Sequence, residues 1–189
     1  MPYRQWQSTN GLPWPYRDEF EVGCTLEHAG YCLAWLAMWF GPAQSVSVVD
    51  VRERRLVGET ETAGCSLVLP SGDRQFQMMC GDGSLLTVNL NERGEVTEKL
   101  RNEPFFDPNG DWVTEKAVRW GDSWIFVSHQ GTVYPVDVSA DRPSPGKTWS
   151  LFSEEEKPAS WRPGGIQHLA VHQASGTLYA LVHQGGDST

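Results

Sequence analysis

Ser84-Leu85-Leu86-Thr87-Val88-Asn89-Leu90 is a short apolar run that closes on Asn held between two apolar residues. It has two counterparts, Ser45-Val46-Ser47-Val48-Val49-Asp50-Val51 and Thr132-Val133-Tyr134-Pro135-Val136-Asp137-Val138. Val49, Val88 and Val136 hold the same place in the three runs and stand 39 and 48 residues apart. The segments around them are short, rich in Val and aromatics, and closed by Gly, Asn, Asp or Pro, which is the pattern of strands and turns. The 19 glycines and 12 prolines supply the punctuation. From Gly41 to Thr189 no long stretch places apolar residues at helical spacing.

A repeat of about 40–50 residues with several strands in each unit is the signature of a propeller blade. On that ruler one blade contributes strands at 45–51 and 56–62. The next has four, at 65–69, 75–80, 84–90 and 95–100. A third has four, at 115–120, 124–128, 132–138 and about 147–152. A last blade supplies Ile166 to His172 and Thr177 to Val182. The expectation is an all-β chain, a partial β-propeller of about three blades of four-stranded antiparallel sheet. It occupies residues 39–189 and stops in mid-blade, and residues 1–38 are an unassigned N-terminal segment. The alternative is a small antiparallel sandwich in which the recurrence is accidental.

Composition narrows the function. Twenty-four acidic side chains against 15 basic ones give a formal net charge of -9. That balance argues against a nucleic-acid binder, which needs clustered Lys and Arg for phosphates, and against a polybasic membrane-surface protein. The longest apolar run, Tyr31 to Phe40, is about half of the ~20 residues a bilayer span needs. Arg4 and Arg17 stand against Asp18, Glu19, Glu21 and Glu27 ahead of it, so no export signal is expected there.

Cys65 and Cys80 flank a hairpin candidate. A two-residue turn at Gly72-Asp73 would set them directly opposite one another on neighbouring strands, with Cβ atoms ~4.5–5.5 Å apart. A disulfide is therefore expected, and an oxidising compartment with it. Two reduced, buried neighbours are the alternative. Cys24 and Cys32 receive no pairing.

Candidate chemistry is sparse. His168 and His172 fall in a strand, where residues four apart share a face but lie ~13 Å apart, too far for one metal ion. Asp107-Pro108-Asn109-Gly110-Asp111 has the Gly in the wrong place for a calcium loop and reads as a turn. Gly81-Asp82-Gly83 lacks the third Gly and the helix of a dinucleotide loop. Glu154-Glu155-Glu156 reads as a solvated turn. No catalytic, cofactor-binding or metal-ligating residue is assigned. Trp161-Arg162-Pro163-Gly164-Gly165 is the remaining notable stretch. Trp and Arg are enriched at binding hot spots, so Trp161 and Arg162 are candidate contacts with another subunit, or else a Trp packed between blades beside a solvated Arg.

Gly64-Cys65-Ser66 through Cys80-Gly81-Asp82-Gly83-Ser84-Leu85-Leu86-Thr87-Val88-Asn89-Leu90 resembles the heavy subunit of the quinoprotein amine dehydrogenases. So do Ser160-Trp161-Arg162-Pro163-Gly164-Gly165, the segment His172 to Tyr179, and Gly41-Pro42-Ala43-Gln44-Ser45-Val46-Ser47-Val48-Val49-Asp50. The likeness is closer to the aromatic amine dehydrogenase branch than to the methylamine branch. It implies a seven-bladed propeller in an α2β2 periplasmic enzyme, with the family's disulfide mapping onto Cys65 and Cys80. It also implies a small partner subunit that carries tryptophan tryptophylquinone and the catalytic base, and electron transfer to a blue-copper protein. The heavy subunit is then a non-catalytic scaffold. Seven blades of ~45 residues need more than 300 residues, so the chain is expected to be a fragment. Rival readings are a stand-alone propeller that binds a protein or peptide, and a lactonase-type propeller hydrolase built around a central calcium.

Overall fold

The computed structural model describes residues 45–184. The expectations for residues 1–38, including Cys24, Cys32 and the apolar run before Phe40, lie outside them. Strands β1 (Ser45–Asp50) and β2 (Arg55–Glu61) form an antiparallel pair. β3 (Cys65–Gly72), β4 (Gln75–Cys80), β5 (Leu85–Leu90) and β6 (Val96–Arg101) form a four-stranded antiparallel meander in sequence order. In the next sheet β7 (Val118–Trp120), β8 (Ser123–Val127) and β9 (Thr132–Asp137) follow one another. Two short strands, β10 (Ser144–Pro145) and β11 (Trp149–Ser150), share the outer edge of β9. Last come β12 (Trp161–Pro163), β13 (Leu169–His172), β14 (Thr177–Ala180) and β15 (Val182–Gln184), pairing β12 with β15 and β13 with β14. A single 3-10 turn, Lys157–Ala159, is the helical exception among the described residues.

The stacking follows from the period of two along each strand. On β8, Trp124 and Phe126 enter one apolar layer while Ile125 and Val127 enter another. β9 divides the same way, with Val136 on the first side and Val133 on the second. The first layer also takes Leu69 and Leu85 from the meander, and the second takes Leu169 from β13 with Leu178 and Ala180 packed against it. A third layer, with Phe76, Met78, Leu86 and Val88, receives Val46 from β1. Successive sheets therefore pack face to face, each lending one face to its predecessor and one to its successor. This is how propeller blades stack, and it explains why the central strands read as nearly continuous apolar runs. Each fully buried Val, Leu or Phe in these layers contributes about 1.5–3 kcal/mol of transfer free energy.

The β3–β4 hairpin reaches the expected cysteine pairing by a different route. The turn sits at Asp73-Arg74, with Gly72 opposite Gln75, and not at Gly72-Asp73. Two register shifts, between Pro70 and Gly72 and between Ser66 and Val68, then restore Cys65 opposite Cys80. Pro70 has no N–H to give the ladder, which suits a slip beside it. Leu67 holds the second shift with φ 61, the left-handed conformation that lets one extra residue bulge out. Cys65 and Cys80 are joined, with Cα atoms 3.9 Å apart.

Four other expected strands depart from the sequence reading, and the one at 115–120 begins only at Val118. The fourth strand of the third sheet, expected at about 147–152, is split into β10 and β11: Gly146 N still donates to Pro135 O at 2.8 Å in the register of β10, and pairing resumes only at Trp149 opposite Val133, shifted by one residue across Lys147 and Thr148. The expected strand Ile166 to His172 begins only at Leu169. Leu181 O accepts from Gly164 N at 3.1 Å and Leu181 N donates to His168 O at 2.8 Å, so Gly165, Ile166 and Gln167 are looped out between them. That loop divides the last hairpin and splits Thr177 to Val182 at Leu181, and beyond it Trp161–Pro163, given no strand in the sequence reading, pairs with Val182–Gln184.

Candidate functional site

Hydrogen bonds tie one rim of the stacked sheets into a continuous surface. Gly81 N donates to Gly64 O at 2.9 Å and Phe105 N to Gly83 O at 3.0 Å, which draws the chain after β6 back over the β4–β5 turn. That chain then runs to Trp112, whose carbonyl accepts from His129 N at 2.9 Å. Asp111 fixes the β8–β9 turn by accepting from Ser128 Oγ at 2.6 Å and from Gln130 N at 2.9 Å. The Trp112 and His129 rings stack with centroids 4.7 Å apart, and Trp112 stays 49% exposed. Asp107, read as a turn former, accepts from Asn109 N at 2.9 Å.

His168 carries the rim across to the last hairpin. It is buried, with Nε2 2.9 Å from Thr114 Oγ1 and Nδ1 3.1 Å from Gly165 O. A carbonyl can only accept, so Nδ1 carries the proton and Nε2 accepts from the Thr114 hydroxyl. The neutral ring thus pins the looped-out segment to the preceding sheet. Burial, chiefly, holds its pKa below the ordinary histidine value. The unfolded chain therefore takes up a proton here more readily than the folded one. Stability from this site is whole above the unfolded histidine pKa, about 6.5, and is lost as pH falls through the depressed folded value. Urea midpoints compared between pH 7.5 and 5 should fall, and His168→Gln should flatten that part of the profile. An unchanged slope in the variant would remove His168 from the account. Asp50, Asp82, Asp137 and Glu156, all held below their ordinary values mainly by hydrogen bonds, titrate in a lower window.

Trp161 and Arg162 lie on β12 beyond this loop, opposite Gln184 and His183, and both are half-buried. Arg162 Nη1 donates to Trp161 O at 2.8 Å, which steadies the guanidinium beside the strand. Gly164 packs so closely under the His183 ring that a Cβ there would meet Nε2 at 2.5 Å. The rim therefore offers aromatic and cationic groups on a fixed backbone, which is chemistry for holding a partner surface. Among the described residues no group of three His, Cys, Asp or Glu is placed to hold a metal ion. His172, read as a sheet histidine, ends β13 and sets Nδ1 2.7 Å from Ser175 Oγ. Sequence reasoning passed over Arg101, Trp112 and Thr114, and read Asp111 only as part of a turn. Their partners lie far along the chain, so no local spacing reports them.

Two comparisons place this geometry among known proteins. The family model described as methylamine dehydrogenase heavy chain matches residues 25–189. The chain is 26% identical over 147 residues to the methylamine dehydrogenase heavy chain of Methylobacillus flagellatus, covering 77% of this chain and 36% of that one. It is 29% identical over 146 residues to the heavy chain of Methylorubrum extorquens, covering 77% and 35%. Against that of Paracoccus versutus it is 28% identical over 148 residues, covering 77% and 34%. The chain thus spans about a third of the length of these relatives. With all but the first residues inside the family model and blades stacked as described, the chain belongs to the methylamine dehydrogenase heavy chain family.

Proposed function

We propose that the chain is part of the heavy subunit of an amine dehydrogenase and serves as the non-catalytic scaffold for oxidative deamination of a primary amine. The observation that carries this reading is the family match over residues 25–189. The rim supports it by offering aromatic and cationic groups for docking a partner. The quinone belongs to a small partner subunit in this reading. Electrons leave the complex to a blue-copper protein. The compartment is the periplasm, a placement supported by the Cys65–Cys80 bond. No helix among the described residues is long and apolar enough to cross a membrane.

The amine is proposed to be aromatic. Support comes from the likeness of the cysteine-pair region and of Trp161-Arg162-Pro163-Gly164-Gly165 to the aromatic branch, although the relatives compared above carry the methylamine name. Co-expression with a small, cysteine-rich subunit encoded beside this chain tests the reading. The expected result is a coloured complex that reduces an artificial acceptor when given a primary amine, faster with an aromatic amine than with methylamine. A chain that purifies alone, and oxidises no amine with the small subunit supplied, would sink it.

Trp161 and Arg162 are proposed contacts in that complex. Replacing both with Ala should weaken capture of the small subunit roughly 30-fold, the loss of a hot spot worth about 2 kcal/mol. Unchanged capture by a folded variant would move the interface elsewhere.

A further inference from the structure

The two sulfurs of the Cys65–Cys80 bond face opposite electrostatic surroundings. Arg101, at the end of β6, brings Nη2 to 3.1 Å from Cys65 Sγ. Its Nη1 donates to Asp82 Oδ2 at 3.0 Å, and Asp82 is itself fixed by Ser84 N at 3.0 Å and Ser84 Oγ at 2.5 Å. The guanidinium is therefore aimed, not merely nearby. Cys80 Sγ lies 3.7 Å from the carbonyl oxygen of Met78. Negative charge on Cys65 would meet a cation, whereas negative charge on Cys80 would meet an oxygen lone pair. A neighbouring Arg lowers a thiol's pKa and so makes its thiolate the better leaving group.

The backbone around the bond is spare. Gly64 precedes Cys65 and Gly81 follows Cys80, and a Cβ at Gly64 would meet nothing within 4 Å. Both sulfurs are almost wholly buried, so a reagent reaches them through local opening of β3. β3 is an edge strand of its sheet, and its pairing with β4 is interrupted by the two register shifts. These features place the weak point of the hairpin beside the bond.

We infer that Cys65–Cys80 is a polarised disulfide that accepts a low-molecular-weight thiol at Cys80 and releases Cys65 as a thiolate held by Arg101. The incoming thiol loses its proton to solvent, and its sulfur attacks Cys80 Sγ. A bond forms between those two sulfurs, the Cys65–Cys80 bond breaks, and the electron pair stays on Cys65. The Cys65 sulfur is reduced to a thiolate and the incoming sulfur is oxidised to the disulfide level, so no further oxidant is needed. Cys80 becomes a thiolation site at the rim, and its modification releases the start of β3 from β4.

The test is to treat the full chain with millimolar glutathione at neutral pH, quench in acid, alkylate and map the peptides. The adduct is expected on Cys80 over Cys65 by roughly tenfold, which corresponds to about 1.4 kcal/mol between the two leaving groups. Arg101→Gln should shrink that preference to about twofold or less, and Arg101→Lys should keep most of it because the charge remains. Because Arg101→Gln also breaks the ion pair with Asp82, circular dichroism of the variant confirms that it is folded. If it is not, the Arg101→Lys and parent distributions decide. An adduct spread evenly or lying on Cys65 would overturn the inference. So would an absence of any adduct, or a preference unchanged in a folded Arg101→Gln chain.

Discussion

Phe126→Ala is expected to lower the unfolding free energy by about 3–5 kcal/mol, the usual loss for a fully buried Phe. Phe126 is 0% exposed in the layer between the β3–β6 meander and the β7–β11 sheet. Its ring lies 5.4 Å from that of Phe105, which in turn lies 5.1 Å from Phe106 and 5.9 Å from Tyr134. Truncation therefore removes a ring at the root of an aromatic cluster whose members arrive from three segments of chain. Leu69, Leu85, Trp124 and Val136 in the same layer are strand residues held by their own ladders and close only partly into the space, so a cavity cost adds to the transfer cost. Urea unfolding of the full chain measures the loss, and the melting temperature should fall by roughly 10 °C in a unit of this size. Phe126→Leu keeps most of the volume and should lose less than half as much. A loss below about 1 kcal/mol for Phe126→Ala would mean that the sheets do not share this layer.

The contrast between Phe126 and Arg101 shows what the sequence disclosed and what it withheld. Strand positions came from local chemistry, since a run such as Trp124-Ile125-Phe126-Val127 leaves little choice but a strand buried on both faces. The recurrence at Val49, Val88 and Val136 pointed to repeated sheets, and the three residues do hold β1, β5 and β9. The pairing of Cys65 with Cys80 was legible for an instructive reason. Moving the turn to Asp73-Arg74 displaced the register, and the slips at Ser71 and Leu67 took it back. A bulge has no reliable signature in one sequence, so the right partner was reached through the wrong turn. β10 and β12 were hidden because two- or three-residue strands, carrying Pro145 and Pro163, show no period, while β11 is the middle of the strand expected at about 147–152. The rim was hidden for a different reason. Arg101 and Cys65 are 36 residues apart, and Thr114 and His168 are 54 apart. Polar contacts at such separations exist only once the sheets have stacked.

Gly83→Ala should cost about 3 kcal/mol or more, through backbone alone. Gly83 has φ +86, a conformation that costs other residues about 1 kcal/mol or more. A Cβ there would stand 2.2 Å from the carbonyl oxygen of Phe106 and 3.4 Å from Pro108 Cδ. Neither atom is the free end of a flexible side chain, so the whole segment from Phe105 to Pro108 must move. That segment is held down by the Phe105 N–Gly83 O bond at 3.0 Å, which the movement stretches. Gly81, two residues earlier, is the internal control. Its added Cβ would meet only Gly64 O at 3.7 Å, so Gly81→Ala should stay within about 0.5 kcal/mol of the parent. The Gly83 loss should also be coupled to Phe126. Displacing Phe106 carries Phe105 away from the Phe126 ring, and once that ring is gone the same contact cannot be lost twice. The double variant should therefore fall short of additivity by about 0.5–3 kcal/mol, the range for residues sharing a contact. Pairing Gly83→Ala with Leu169→Ala, in the layer on the far side of β8, should be additive within about 0.5 kcal/mol. Additivity in both cycles would mean that the Phe105–Phe106 segment does not transmit the clash into the core, and that the β4–β5 turn is independent of the layer beneath it.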